Sequence, residues 1–147
     1  MKLCLASSAG GHLRELLQLR PAFASRDHCY LTFRREDSSE LQGRVYFVID
    51  PKRNPLKLAW NLLQSVRVLL KERPRVVLTT GAGVVIPFCI LAKLLGAKLV
   101  FLESFCRVRR PSLTGRVLYP FADLFLVQWP ELLQAYGTKA RYWGGVL

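Results

Sequence analysis

Two adjacent glycines followed by a histidine, Ser8-Ala9-Gly10-Gly11-His12, form the first stretch of this chain whose residue types and spacing suit chemistry. Paired glycines let backbone N–H groups approach a ligand, and a helix that opens there aims its free N–H groups at an anion or a polar group. His12, at the helix start, is the first candidate base. A capping or packing role is the alternative for His12. Glu103 is the second candidate, a lone carboxylate at the end of the apolar run 98–102 with no packing reason to be there. It could act as general base, orient a sugar hydroxyl, or pair with Arg107. Arg107, Arg109, Arg110 and Arg116 follow closely, with Ser112 and Thr114 as further donors. Forked guanidinium groups suit a diphosphate; a solvated basic loop is the plainer reading.

The elements that position these residues alternate between strand and helix. Residues 1–7 read as a buried strand that runs straight into the glycine turn, so an α/β ligand-binding unit is expected from the first residue. A helix is expected over 12–23, then strands over 29–33 and 45–49 separated by a polar loop at 34–43. A long helix over 56–72 follows, then strand 76–79, a Gly81-Ala82-Gly83 turn, helix 84–95 and strand 98–102. A short helix near 114–119, strand 124–127, a turn at Trp129-Pro130 and a last strand near 140–143 complete the pattern. Apolar strands separated by helices predict a Rossmann-like parallel sheet covered on both faces, in one domain over residues 1–147. Ligands bind such sheets beyond the carboxyl ends of the strands, where the strand order reverses. The loops 8–12, 80–83 and 103–111 should meet there.

The spacing excludes several sites. The G-x-G-x-x-G fingerprint and its acidic ribose partner are missing, and so is the P-loop pattern; no cofactor is therefore expected. No D-x-D or other acidic cluster occurs, so no metal is expected. Cys4, Cys29, Cys89 and Cys106 lack C-x-x-C spacing and read as reduced, mostly buried thiols. No secretory leader pattern opens the chain, and its most apolar region, 76–102, is interrupted by Gly, Pro and Lys.

Among 147 residues, 22 Lys+Arg against 10 Asp+Glu give a net charge of +12, which favours phosphate-bearing partners. The basic residues are scattered among apolar runs rather than massed with aromatics, which argues against nucleic acid and for a lipid surface. The helix over 56–72 supports this. At 100° per residue its Leu, Val, Ala and Trp residues fill an arc of about 200°, against about 100° for an ordinary core stripe. Trp60 and Leu63 with Arg67 and Lys71 would form its membrane-contact edge. A helix buried on two sides, or a subunit contact, is the competing reading.

These residues resemble a known family. Ser8-Ala9-Gly10-Gly11-His12, Gly81-Ala82-Gly83 with Pro87, 102–108 (Leu-Glu-Ser-Phe-Cys-Arg-Val), Ser112-Leu113-Thr114-Gly115, Asp123 and Val127-Gln128-Trp129-Pro130 look like the asparagine-linked glycosylation 14 type of oligosaccharide-biosynthesis protein. Its bacterial relatives are the PssD/CpsF-type polysaccharide proteins. The resemblance implies the N-terminal, acceptor-side half of a GT-B glycosyltransferase, with the UDP-sugar site on a partner subunit. A more distant likeness is to the lipid-intermediate N-acetylglucosaminyltransferase of peptidoglycan synthesis.

The implied activity is transfer of a sugar from a UDP-sugar, with inversion, to a polyprenyl-diphosphate-linked acceptor, by a heterodimer on the cytoplasmic face of the cell membrane. His12 or Glu103 would be the base. Ser8, Gly10, Gly11, Gly81, Gly83, Ser104, Arg107, Arg109 and Arg110 would hold the acceptor's phosphates. Trp129, Trp143, Gly144, Gly145, Val146 and Leu147 would meet the partner. Eukaryotic members carry an N-terminal membrane helix that this sequence lacks, so attachment would fall to the amphipathic basic surface. Two competing readings are a non-catalytic scaffold that recruits the catalytic subunit to the membrane, and a stand-alone nucleotide-binding enzyme.

Overall fold

The computed structural model describes all 147 residues. Seven strands form one sheet: β1 (Leu3–Ser7), β2 (His28–Thr32), β3 (Val45–Phe47), β4 (Val76–Gly81), β5 (Lys98–Leu102), β6 (Leu124–Val127) and β7 (Ala140–Tyr142). Every neighbouring pair is parallel, in the order β3-β2-β1-β4-β5-β6-β7. The order reverses between β1 and β4, which puts a crevice above their carboxyl ends.

Alternation along β1 divides the core. Leu3 and Leu5 pack with Leu13 and Leu16 of α1 (Gly11–Gln18) and Phe23 of α2 (Arg20–Phe23). Cys4 and Ala6 face the larger cluster, built on α3 (Pro55–Glu72), α4 (Ile86–Leu94), α5 (Leu113–Leu118) and α6 (Leu132–Tyr136). Cys4, Cys29 and Cys89 are buried free thiols, whereas Cys106 is exposed. Burial pushes the Cys89 thiol up to about 12, which keeps it protonated.

Several expected boundaries move for local reasons. The single helix expected over 12–23 breaks at Leu19 because Pro21, in the first turn of α2, has no N–H to continue it. The helix expected from residue 84 begins as a 3₁₀ turn, Gly83–Val85, and becomes α-helical at Ile86 with Pro87 in its first turn. Two elements were not anticipated: α6, and a 3₁₀ turn at Asp37–Glu40 inside the polar loop. The long helix lies where expected. Asn54 caps it by accepting from Leu56 N (2.9 Å) and Lys57 N (3.3 Å), and Arg73 ends it in the left-handed region at φ 46°.

The way α3 faces overturns the reading of a helix buried on two sides. Its buried residues include Asn61 and Ser65, while Leu56, Leu63 and Leu70 are 82%, 53% and 60% exposed. Asn61 Nδ2 donates to the carbonyls of Ile49 (2.8 Å) and Val84 (3.1 Å), and Gln64 accepts from Ile49 N at 2.7 Å. The buried side of α3 therefore satisfies loop backbone groups through Asn61 and Gln64 and packs Val68 and Leu69 into the core, while Leu56, Leu63 and Leu70 are left outward. Trp60 stacks under Arg67 at 5.8 Å as the spacing predicts, but Lys71 sits over Tyr46 instead. No helix is long and apolar enough to cross a membrane.

Candidate functional site

A cavity of about 360 Å³ opens at the reversal point. Gly11, His12 and Glu15 of α1 form one wall. Thr80 and Gly81 at the end of β4, with Ala82 after it, form the second, and Ser104, Cys106, Arg107 and Ser112 to Thr114 close the third. A larger groove of about 670 Å³ lies at the opposite edge, among Arg20, His28, Tyr30 and Arg44. The smaller cavity is the candidate, because only there do the strand-end loops and the glycine turn converge.

The backbone of the second wall is specialised. Gly81 has φ +97°, and a Cβ there would lie 3.4 Å from both Phe101 and Thr114. Ala82 follows at φ 90°, ψ 149°, a conformation that costs a non-glycine residue on the order of 1–3 kcal/mol. Such strain persists where the surrounding structure fixes it, and here it lines the cavity. Thr80 Oγ1 donates to the His12 carbonyl at 2.7 Å and so ties the two walls together. His12 Nδ1 is buried without a hydrogen-bond partner.

Glu103 is 1% exposed, and its oxygens are taken by donors of the chain itself. Its Oε1 accepts from Ser104 N at 2.9 Å, and its Oε2 accepts from Ser112 N at 3.0 Å, Ser112 Oγ at 2.9 Å and the Tyr136 hydroxyl. No arginine pairs with it, which corrects the expected Arg107 ion pair. Burial and then the Glu103 hydrogen bond push the Tyr136 hydroxyl up, so Tyr136 stays a donor. A Cβ on Gly115 would come within 2.6 Å of Glu103 Oε2, so α5 can approach only with glycine at that position. Glu103 thus anchors α5 and α6 beneath the cavity, and it is His12 that lines the cavity.

Of the residues expected to hold phosphates, Gly11, Gly81, Ser104 and Arg107 line the cavity, while Arg109 and Arg110 line an adjoining groove with Arg107. Ser8, Gly10 and Gly83 do not. The Gly10 N–H, expected to face a ligand anion, already donates to the Asp37 carboxylate. Glu15 was missed. It is 5% exposed, lines the cavity, and sits three residues after His12 among the buried Leu13 and Leu16. A carboxylate on the apolar side of a helix was the available signal. No group of three or more His, Cys, Asp or Glu residues could hold a metal ion.

Of the residues expected to meet a partner, Trp143 and Leu147 are 71% and 64% exposed. Trp129 is half-buried against Phe105, with ring centroids 5.0 Å apart, and its Nε1 donates to the Phe105 carbonyl at 2.7 Å. It braces the loop after β5. Val146 N donates to Gln128 Oε1 at 2.9 Å, which lays the end of the chain across the loops that follow β5 and β6.

The family model for oligosaccharide biosynthesis protein Alg14 like matches residues 52–146. The chain is 43% identical over 98 residues to the UDP-N-acetylglucosamine transferase subunit alg14 of Schizosaccharomyces pombe, an alignment covering 61% of this chain and 46% of that protein. It is 26% identical over 182 residues to the mouse UDP-N-acetylglucosamine transferase subunit ALG14, covering 100% of this chain and 83% of that protein.

Among solved structures, MurG of Acinetobacter baumannii superposes with a TM-score of 0.80 at 16% identity, over 99% of this chain and 46% of that one. UDP-N-acetylglucosamine 2-epimerase from Rickettsia bellii gives 0.77 at 13% identity, over 99% and 45%. The chain thus spans about half the length of these structures and of the fission yeast relative. The likeness shows the fold expected from the sequence, that of the N-terminal Rossmann-like domain of GT-B proteins.

Proposed function

The chain belongs to the family of Alg14-like oligosaccharide biosynthesis proteins, and from that premise we propose that it is the acceptor-side lobe of a glycosyltransferase whose donor site lies on a second polypeptide. The relatives' names, subunits of a UDP-N-acetylglucosamine transferase, support UDP-N-acetylglucosamine as donor and support a partner. The observation that carries the reading is the cavity itself, with His12 in its wall, uncompensated arginines at its rim, and a position at the reversal point of the sheet.

In this reading the acceptor is a sugar on a polyprenyl diphosphate. Arg107, Arg109 and Arg110 hold the diphosphate, and the sugar enters the cavity. His12 takes the proton of the acceptor hydroxyl as its oxygen attacks the anomeric carbon. The new glycosidic C–O bond forms as the bond from that carbon to the donor's UDP oxygen breaks. UDP leaves with that electron pair, and configuration inverts. Closure of the partner lobe supplies the donor and excludes water. The outward apolar face of α3, edged by Trp60 and Arg67, supports a peripheral position on a membrane, in this reading its cytoplasmic face.

The test is reconstitution. The chain and its partner together should transfer N-acetylglucosamine from the radiolabelled nucleotide to a short-chain polyprenyl-diphosphate sugar, and neither should do so alone. Substitution His12→Ala should lower transfer by about 10²–10⁴-fold while the two polypeptides still co-elute. Full activity of that variant removes the assigned base, and full activity of the isolated chain removes the two-part reading.

A further inference from the structure

We propose that Glu15 is a positioning residue that couples the acceptor cavity to the C-terminal segment 143–147; its role in transfer rests on the function proposed above, but its structural part does not. Glu15 is a buried carboxylate with no cation within ion-pair distance, in a chain of net charge +12. Removing such a group from water is costly unless donors replace the lost hydration. The donors come from two other loops. Ser104 Oγ donates at 3.0 Å, Phe105 N at 3.2 Å to one oxygen and 3.3 Å to the other, and Gln128 Nε2 at 3.2 Å. One side chain on α1 therefore gathers the turn after β5 and the turn after β6.

The network continues beyond Gln128. Its amide orientation is fixed because Nε2 also donates to the Glu103 carbonyl at 3.0 Å, while Oε1 accepts from Val146 N at 2.9 Å, and a backbone carbonyl and a backbone N–H can each play only one role. A Cβ on Gly145 would lie 3.7 Å from both Gln128 and Phe105, so the backbone of the terminal segment rests directly on the residues that Glu15 holds. Trp143 and Leu147, which flank this contact, are exposed and free for a partner. His12 stands three residues before Glu15 on the same helix, which puts both on one side of its first turns. A polypeptide that seats on 143–147 thus acts on Ser104, Phe105 and the His12 end of α1 through two side chains.

The isosteric change Glu15→Gln keeps the volume but sets an NH₂ group against the Gln128 NH₂ or the Phe105 N–H. Gln128→Met removes the relay and leaves Glu15 with its other donors. Amide exchange of the full-length chain is the first readout. In both variants the Val146 amide should exchange about tenfold faster or more, while the amides of β1, β4 and β5 keep their protection. The second readout uses the reconstituted pair. Glu15→Gln should raise the acceptor KM and the partner Kd together, by about tenfold each, and leave kcat within a few-fold, a split that a general loss of folding does not produce.

Unchanged Val146 exchange in the folded variants overturns the proposal, as does a Kd unchanged while KM rises. If Glu15→Gln does not fold, Gln128→Met decides through the reconstituted pair, where a weakened partner Kd with an unchanged acceptor KM overturns the coupling. Faster Val146 exchange alongside a wild-type pair that transfers no sugar would sink the proposed function and leave the coupling standing.

Discussion

The two edges of the sheet handle charge in opposite ways. All five ion pairs lie where strands begin. Glu72 meets Lys2 at 3.0 Å and Arg44 at 3.0 Å, Arg44 also meets Asp27, and Asp123 meets Lys93 at 2.7 Å and Lys98 at 3.5 Å. Where strands end, the buried Glu15 and Glu103 touch only N–H and O–H donors, and Arg107, Arg109 and Arg110 face no carboxylate. Neutralised charge contributes to stability and leaves little field. Arginines without partners keep theirs for an anion. In this strongly basic chain, the placement of its few acids therefore decides which edge is structural and which can bind.

The widest separation between the edges is expected in turnover. At the strand ends, His12→Ala should lower kcat of the reconstituted pair by about 10²–10⁴-fold with little change in Tm. At the strand starts, Glu72→Ala should leave kcat unchanged at temperatures well below Tm. Steady-state kinetics on both variants checks this, and equal losses would erase the distinction.

Stability should show the reverse order. Glu72→Ala strands Lys2, leaves Arg44 with Asp27 alone, and frees the Tyr46 hydroxyl, which donates to Glu72 and is pushed up to about 12, chiefly by that hydrogen bond. Because both cations are partly solvated, the expected loss is about 2–3 kcal/mol, read by urea unfolding. The pH dependence follows with a definite sign. Burial opposes ionisation of Glu72, but hydrogen bonds from Tyr46 and Lys2 and the charge of Arg44 outweigh it and hold the carboxyl below its ordinary 4.5. Asp123 is likewise held below 3.8, with burial outweighed by Lys93 and the Leu99 N–H. A carboxyl lowered in the folded state stabilises above its ordinary value and loses that contribution as pH falls below it. Stability should therefore decline from about pH 4.5 downward, and Glu72→Gln should flatten that decline. An equal slope in the variant would assign the loss elsewhere.

A smaller effect should mark the rim. Arg107→Ala should raise the acceptor KM by about tenfold, and raised salt should shrink the difference, since an exposed guanidinium on a diphosphate is screened. A salt-independent change would mean that the side chain acts through packing.

The alternation of strands and helices was legible because buried parallel strands are apolar throughout, and the long helix expected over 56–72 starts only one residue earlier, at Pro55 behind the Asn54 cap. The glycine turn and the meeting of loops at one edge were legible as well. Partnerships across the chain were not. Gly10 N–H is taken by Asp37, 27 residues away, and Glu103 is held by Ser112 and Tyr136, at separations of 9 and 33. Those separations left Glu103 looking like a free base and the glycine turn like an empty anion nest. The periodicity of α3 gave the width of its apolar arc. The side that faces the sheet depended on the carbonyls of Ile49 and Val84, which Asn61 satisfies.

That inversion yields the smallest effect and a sharp one. In an ordinary amphipathic helix, Leu→Ser on the apolar side removes core packing and costs several kcal/mol, on the order of 2–5. On α3, Leu63→Ser and Leu70→Ser should change stability by no more than about 0.5 kcal/mol, because both side chains already meet solvent. Asn61→Leu, a change toward the apolar, should cost more, about 1–3 kcal/mol, because it strips two buried carbonyls of their donor. The two leucine variants should also bind anionic vesicles more weakly than the parent, which sedimentation measures alongside urea unfolding. Were Leu63→Ser to cost as much as a core truncation, the face would be covered in solution by another copy of the chain, and the proposed contact of α3 with lipid would fall.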